Sequence, residues 1–137
     1  LRPAAVVDIA TLTGAVAIAL GNRNAALLGR HEWLLARVLH AAEAAGEPVW
    51  RLPLDEESRK PMDGTIADLK NISGNRLAGT ITAAGFLSRF TEGIPWAHID
   101  IAGVGWLDED HPLGPRGPTG FGTRLLTHLA EEWRGGK

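Results

Sequence analysis

His98-Ile99-Asp100 is the local grouping best able to do chemistry by itself. On a strand, residues i and i+2 share a face, so this imidazole and carboxylate could chelate one cation. Two ligands do not make a metal site, however, and the plainer reading is preferred: both are hydrogen-bonded structural groups at a strand end. Asp108-Glu109-Asp110-His111 is a second acidic cluster, and in Pro/Gly-rich sequence a solvated loop is its default reading. Asp8 and Asp68 are lone carboxylates, and Asp8, inside an apolar run, needs a partner wherever it is buried. Arg23, Arg51, Arg76 and Arg116 do not cluster as a phosphate site would require. Ser58, Ser73 and Ser88 are the only serines, and none stands in a G-x-S-x-G elbow. The chain has no Walker loop, no G-x-G-x-x-G and no H-E-x-x-H; His31, His40, His98, His111 and His128 are never paired at helical spacing.

The elements that must position these groups alternate between strand and helix. Ala4 to Ala10 is a short apolar run, as expected of a strand covered on both faces, and the small polar loop Thr11-Leu12-Thr13-Gly14 follows it. Ala15 to Leu20 is either a short helix or a strand, then Gly21 to Asn24 is a turn and Ala25 to Leu28 a strand. A helix is expected from His31 to Ala45, with Leu34, Leu35, Val38, Leu39, Ala42 and Ala45 in one stripe and Gly46 as its stop. Pro48 to Leu54 reads as an extended edge segment and Asp55 to Lys60 as a charged, exposed one. Met62 to Gly79 is a long structured loop. A second long helix is expected from Thr80 to Phe90, burying Ile81, Ala84, Leu87 and Phe90. A strand over Ala97 to Ile101 leads into the small loop Ala102-Gly103-Val104-Gly105, and Asp108 to Gly120 reads as a Pro/Gly-rich loop. The last helix, Gly122 to Trp133, faces inward with Leu125, Leu126, Leu129 and Trp133. Trp33, Trp50, Trp96, Trp106 and Trp133 read as core or subunit-contact residues, with Trp106 placed just beyond a loop at a strand end. The class is α/β, in which ligands bind at loops on the carboxyl ends of strands.

Composition narrows the function classes. At 137 residues, 45% hydrophobic and 22% charged, the chain holds material for one modest core. A net charge of -2 offers no electrostatic footprint for nucleic acid or an anionic membrane. The absence of cysteine excludes a disulfide framework, a thiolate metal site and a cysteine nucleophile, and it fits a reducing cytoplasm. No apolar run approaches the ~20 residues of a membrane helix. The chain opens on Leu1-Arg2-Pro3 and enters the first strand almost at once, so the expectation is a single partial domain over residues 1–137, cut from a longer protein.

Six segments resemble, in order, the motifs of the leucyl (cytosol) aminopeptidase family. They are Val7-Asp8-Ile9-Ala10-Thr11-Leu12-Thr13-Gly14-Ala15; Trp50-Arg51-Leu52-Pro53-Leu54; Ala67-Asp68-Leu69-Lys70-Asn71; Ala78-Gly79-Thr80-Ile81-Thr82-Ala83-Ala84 with Phe86-Leu87; Trp96-Ala97-His98-Ile99-Asp100-Ile101-Ala102-Gly103; and Thr119-Gly120-Phe121-Gly122 with Arg124-Leu125-Leu126. The resemblance implies a three-layer α/β/α sandwich with a mixed sheet, corresponding to the C-terminal portion of a catalytic domain. It implies a hydrolase: a two-metal exopeptidase in which two divalent ions (Zn, Mn or Mg) activate water and hold the substrate's amino group. A lysine and an arginine assist in that family, the arginine with a bound bicarbonate, and the assembly is usually a cytoplasmic homohexamer acting on peptides. The family's metal ligands and both basic residues precede the A-T-L-T-G loop, in a block that includes N-T-D-A-E-G-R and is not in this sequence. The resemblance therefore assigns no catalytic and no metal-binding residue here. It assigns the substrate side-chain pocket: Thr11, Leu12 and Gly14 from the first loop, with the Leu12 backbone touching substrate, and Ala102 with Gly105 from the second. Small residues suit that task because they leave volume for a leucine-sized group and expose backbone polar groups. Under the resemblance His98 and Asp100 are structural.

Three functions are carried forward. The first is a piece of a metal-dependent aminopeptidase preferring leucine-like N-terminal residues, inert without its missing ligands. The second is a stand-alone, non-catalytic binding or assembly module derived from that family. The third is a different enzyme with a metal site built from His98, Asp100 and the 108–111 cluster.

Overall fold

The computed structural model describes residues 2–112 and 114–133. Four strands, β1 (Val6–Ala10), β2 (Ala25–Gly29), β3 (Val49–Arg51) and β4 (Trp96–Asp100), form one mixed sheet in the order β1-β4-β2-β3. β1 and β4 run parallel, with Ala10 opposite Asp100; β4 and β2 are antiparallel; β2 and β3 are parallel. The two central strands, β2 and β4, are buried along their whole length. β1 is half-buried at every position, with Val7 and Ile9 packed against one core and Val6 against the other, and β4 is its one pairing neighbour among the described residues. β3 occupies the opposite edge, as its flanking prolines require, with Trp50 63% exposed.

Helices cover both faces. α2 (Glu32–Ala45) and α4 (Thr123–Glu131) pack on each other and on one face, enclosing Leu27, Leu34, Leu35, Val38, Ile99, Leu125 and Leu129. α1 (Gly14–Leu20) and α3 (Gly79–Ser88) lie on the other face, with Val16, Ala84, Ala26, Leu28 and Trp96. Alternation along β2 sends Ala25 and Leu27 to the first layer and Ala26 and Leu28 to the second. This is the expected three-layer sandwich. Residues 15–20 are helical because Thr13 caps the segment, its hydroxyl accepting from Val16 N, and Gly21 ends it at φ 67°. α2 ends as its sequence predicts: Gly46 is left-handed and its N–H reaches the carbonyls of Ala42 and Glu43.

Several expectations fail locally. α3 buries Thr80, Thr82, Ala84, Gly85 and Ser88 and packs Ile81 and Leu87 half-buried against the core as expected, but Phe90 is 67% exposed. Its inner face is made of small residues because neighbouring backbone comes close; a Cβ on Gly85 would lie 2.9 Å from the Ser58 carbonyl oxygen. On α2, Ala41 is buried and Leu39 is 36% exposed. Arg59, inside the segment read as exposed, is 4% exposed and bound to Glu56 and Glu92. The loop read over 108–120 is flanked by a small hairpin, β5 (Trp106–Leu107) with β6 (Gly117–Pro118). Of the five tryptophans Trp96 is buried in the core and Trp133 packs half-buried against it, while Trp33, Trp50 and Trp106 are exposed.

Candidate functional site

Parallel pairing of β1 and β4 puts their carboxyl ends side by side, so residues 11–14 and 101–105 emerge together. Ile101 N continues the ladder by donating to the Ala10 carbonyl. Asp100, fully buried, is the group on which both loops converge. Its Oδ1 accepts from Leu12 N at 3.1 Å, Thr13 N at 3.4 Å and Ala102 N at 3.2 Å. Its Oδ2 accepts from the Thr13 hydroxyl at 2.6 Å. A buried carboxylate is tolerable only with such a set of donors.

The Thr13 hydroxyl has one proton, and the carboxylate takes it. Thr80 Oγ1, 2.9 Å away, must then be the donor in its bond to Thr13, which also accepts from Val16 N at 3.3 Å. Thr80 sits in the first turn of α3, directly after Ala78, the one non-glycine residue in the left-handed region among the described residues (φ 50°). Gly79 lies against α1, where a Cβ would be 3.0 Å from Ala15 Cβ. One hydrogen-bonded chain thus runs from α3 through the first loop to the end of β4.

The structure brings the five assigned residues into two adjacent loops. Thr11, Leu12 and Gly14 are exposed, Leu12 by 37%; Ala102 and Gly105 are half-buried. Gly105 faces Thr11 closely: a Cβ there would lie 3.2 Å from Thr11 Cγ2 and 3.1 Å from the Ile101 carbonyl oxygen. Gly103 is tighter still, since its Cβ would fall 2.3 Å from the Gly21 carbonyl oxygen. Sequence reading missed Thr13 and Thr80 as parts of this site. A threonine directly before Gly14-Ala15-Val16 was the available signal for a helix cap.

His98 and Asp100 share a strand face but have separate partners. His98, fully buried, gives its Nδ1 proton to Asp8 Oδ1 at 2.5 Å, and Asp8 Oδ2 accepts from Trp96 Nε1 at 2.5 Å. Asp8 therefore has the partners its apolar strand demands. The His98 and Trp96 rings stack at 6.3 Å, and His98 Nε2 has no hydrogen-bond partner among the described residues. The 108–111 segment is exposed, and Asp110 accepts from Arg116 N at 2.9 Å. Among the described residues no three His, Cys, Asp or Glu side chains come together as a metal site. The ligands that the resemblance implies for two ions belong to a block outside this sequence, and the described residues supply no set in their place.

A separate cleft of about 730 Å3 opens beside the N-terminus of α4, lined by Arg23, Glu47, Leu107, Phe121 and Arg124 among others. Glu47, 3% exposed, caps that helix: its Oε2 accepts from Gly122 N at 3.0 Å and Leu125 N at 2.9 Å. No helix of the described residues is long and apolar enough to cross a membrane.

The profile of the cytosol aminopeptidase family, catalytic domain, matches residues 1–127. Curated relatives include probable cytosol aminopeptidases of Solibacter usitatus, 47% identical over 128 residues, and of Desulfotalea psychrophila, 50% identical over 124. Another, from Prochlorococcus marinus, is 51% identical over 129 residues. These alignments take in 93%, 90% and 93% of this chain and 26%, 24% and 26% of the respective relatives. The chain spans about a quarter of the length of the curated relatives it matches.

Proposed function

The chain belongs to the cytosol aminopeptidase family, and from that premise we propose that it is the C-terminal portion of the catalytic domain of a two-metal aminopeptidase. The whole enzyme is a cytoplasmic homohexamer that removes leucine-like N-terminal residues from peptides. Two divalent ions, held by residues outside this chain, supply the activated water and the anchor for the substrate's amino group. This chain supplies the recess for the N-terminal side chain, built from Thr11, Leu12, Gly14, Ala102 and Gly105.

One observation carries the reading: the two loops that the motifs assign to the recess are tied side by side to a single buried carboxylate, Asp100. Leu12 N is committed to that carboxylate, which leaves the Leu12 carbonyl as the backbone group to meet substrate. The closeness of Gly105 to Thr11 means that any side chain at 105 narrows the recess.

The test starts with the intact mass of the denatured protein from its source and its hydrolysis of leucyl- and alanyl-p-nitroanilide with added Mn2+ or Zn2+. A mass several-fold above 14.6 kDa with leucyl hydrolysis is expected. Gly105→Val should then lower the leucyl kcat/KM about tenfold more than the alanyl value. A mass of 14.6 kDa without hydrolysis would replace the reading with a binding or assembly module.

A further inference from the structure

We propose that Asp100 is the positioning residue that sets the shape of the substrate recess, acting with Thr13 and Thr80 as one hydrogen-bonded unit. The inference rests on the aminopeptidase reading for its substrate but on geometry for its mechanism. Asp100 touches none of the space assigned to substrate directly. It holds the backbone of the residues that do: Leu12 and Thr13 on one side and Ala102 on the other, all through N–H donors 3.1–3.4 Å from one oxygen. Its second oxygen holds the Thr13 side chain, and Thr13 is in turn held by Thr80 of α3. Above the ladder bond from Ile101 N to the Ala10 carbonyl, the two loops are therefore held together by Oδ1, and the tilt of the first loop is set by the threonine chain. Each donor is a neutral N–H or O–H pointing at a carboxylate, an arrangement that tolerates no reversal at Oδ1, because backbone N–H groups cannot accept.

An amide makes an informative probe. In Asp100→Asn the oxygen can remain on the three backbone donors while the NH2 replaces Oδ2. Thr13 must then accept from the amide and send its own proton to Thr80, reversing the side-chain branch, while the backbone branch keeps its direction but is weakened by loss of the carboxylate charge. Thr80→Val removes the end of the chain without touching Asp100, and Thr13→Ser restores the hydroxyl that Thr13→Val deletes. In the whole protein, Asp100→Asn and Thr13→Val should each raise the leucyl KM about five- to tenfold with kcat changed less than twofold. Both should also lower the leucyl-to-alanyl ratio of kcat/KM. Thr80→Val should do the same more weakly, and Thr13→Ser should return the wild-type values. A loss of kcat alone, or an equal loss for both substrates, would overturn the proposal, since a merely structural role predicts that outcome.

Amide hydrogen exchange keeps the two readings distinguishable. Asp100→Asn should speed exchange in peptides covering residues 11–14 and 101–105 together, with α2 and α4 still protected. This holds even if the wild-type protein hydrolyses nothing, in which case the peptidase reading fails and the positioning role stands. Faster exchange in one loop only, or in neither, overturns the positioning role. Should Asp100→Asn unfold the protein, Thr80→Val decides through the loop the threonine chain holds: faster exchange at residues 11–14 is expected, and unchanged exchange there overturns the positioning role.

Discussion

Two buried carboxylates, Asp100 and Glu47, are placed where backbone N–H groups would otherwise be orphaned. Glu47 is the clearest stability case. It comes from the turn after α2 and caps α4 some 75 residues later, through two backbone donors. Glu47→Ala leaves buried N–H groups without an acceptor, and we expect a loss of about 2 kcal/mol, within the range for an unsatisfied buried group. Glu47→Gln, which still accepts, should lose less than half of that. Urea titration of both variants checks this, with m unchanged if the native state keeps its compactness. Asp8 acts similarly for the buried His98 and Trp96 donors. The sequence made the need for a partner at Asp8 legible, because a carboxylate in an apolar strand must have one. It could not reveal which partner, since His98 lies 90 positions away and only the β1–β4 register brings it opposite.

Elements here meet through glycine where backbone approaches backbone. A side chain at Gly103 has no room against the end of α1, whereas at Gly14 nothing lies within 4 Å of the added carbon. Gly103→Ala should therefore cost more than about 2 kcal/mol through backbone displacement, while Gly14→Ala should be neutral or slightly stabilising by reducing unfolded-state entropy. Thermal melts of the two variants side by side make the comparison. Strand and helix order was readable from apolar runs and their glycine stops, and α2 and α4 nearly in full, because each shows a stripe over three turns. α3 was legible in part: Ala84 is buried and Ile81 and Leu87 pack half-buried against the core as expected, but close backbone contact at Gly85 turns the small residues fully inward and leaves Phe90 outside. The hairpin of β5 and β6 was invisible: two residues per strand carry no periodicity.

At the scale of the whole molecule, exposed ion pairs tie the edges together without dominating stability. Glu32 at the start of α2 bonds Arg51 of β3, and that bond holds the Glu32 carboxyl below its usual range while raising Arg51. A carboxyl depressed in the folded state contributes above its unfolded value of 4.5 and stops contributing as pH falls through the folded value. Arg51→Met should thus lower stability slightly at pH 6 and progressively less at a second, acidic pH well below 4.5. Added salt should shrink the difference, as measured by urea midpoints at both pH values. The order β1-β4-β2-β3 has a temporal meaning as well. The backbone amide of Leu12 and the carboxylate that holds it are 88 residues apart in sequence. Closing so long a loop is entropically costly, and contacts of that separation slow folding. During synthesis the first loop leaves the ribosome 88 residues ahead of the carboxylate that holds it, and waits, unsupported, until β4 arrives. The recess consequently cannot form before β4 has emerged, and a polypeptide halted before residue 100 would carry the first loop's N–H groups without the carboxylate that receives them.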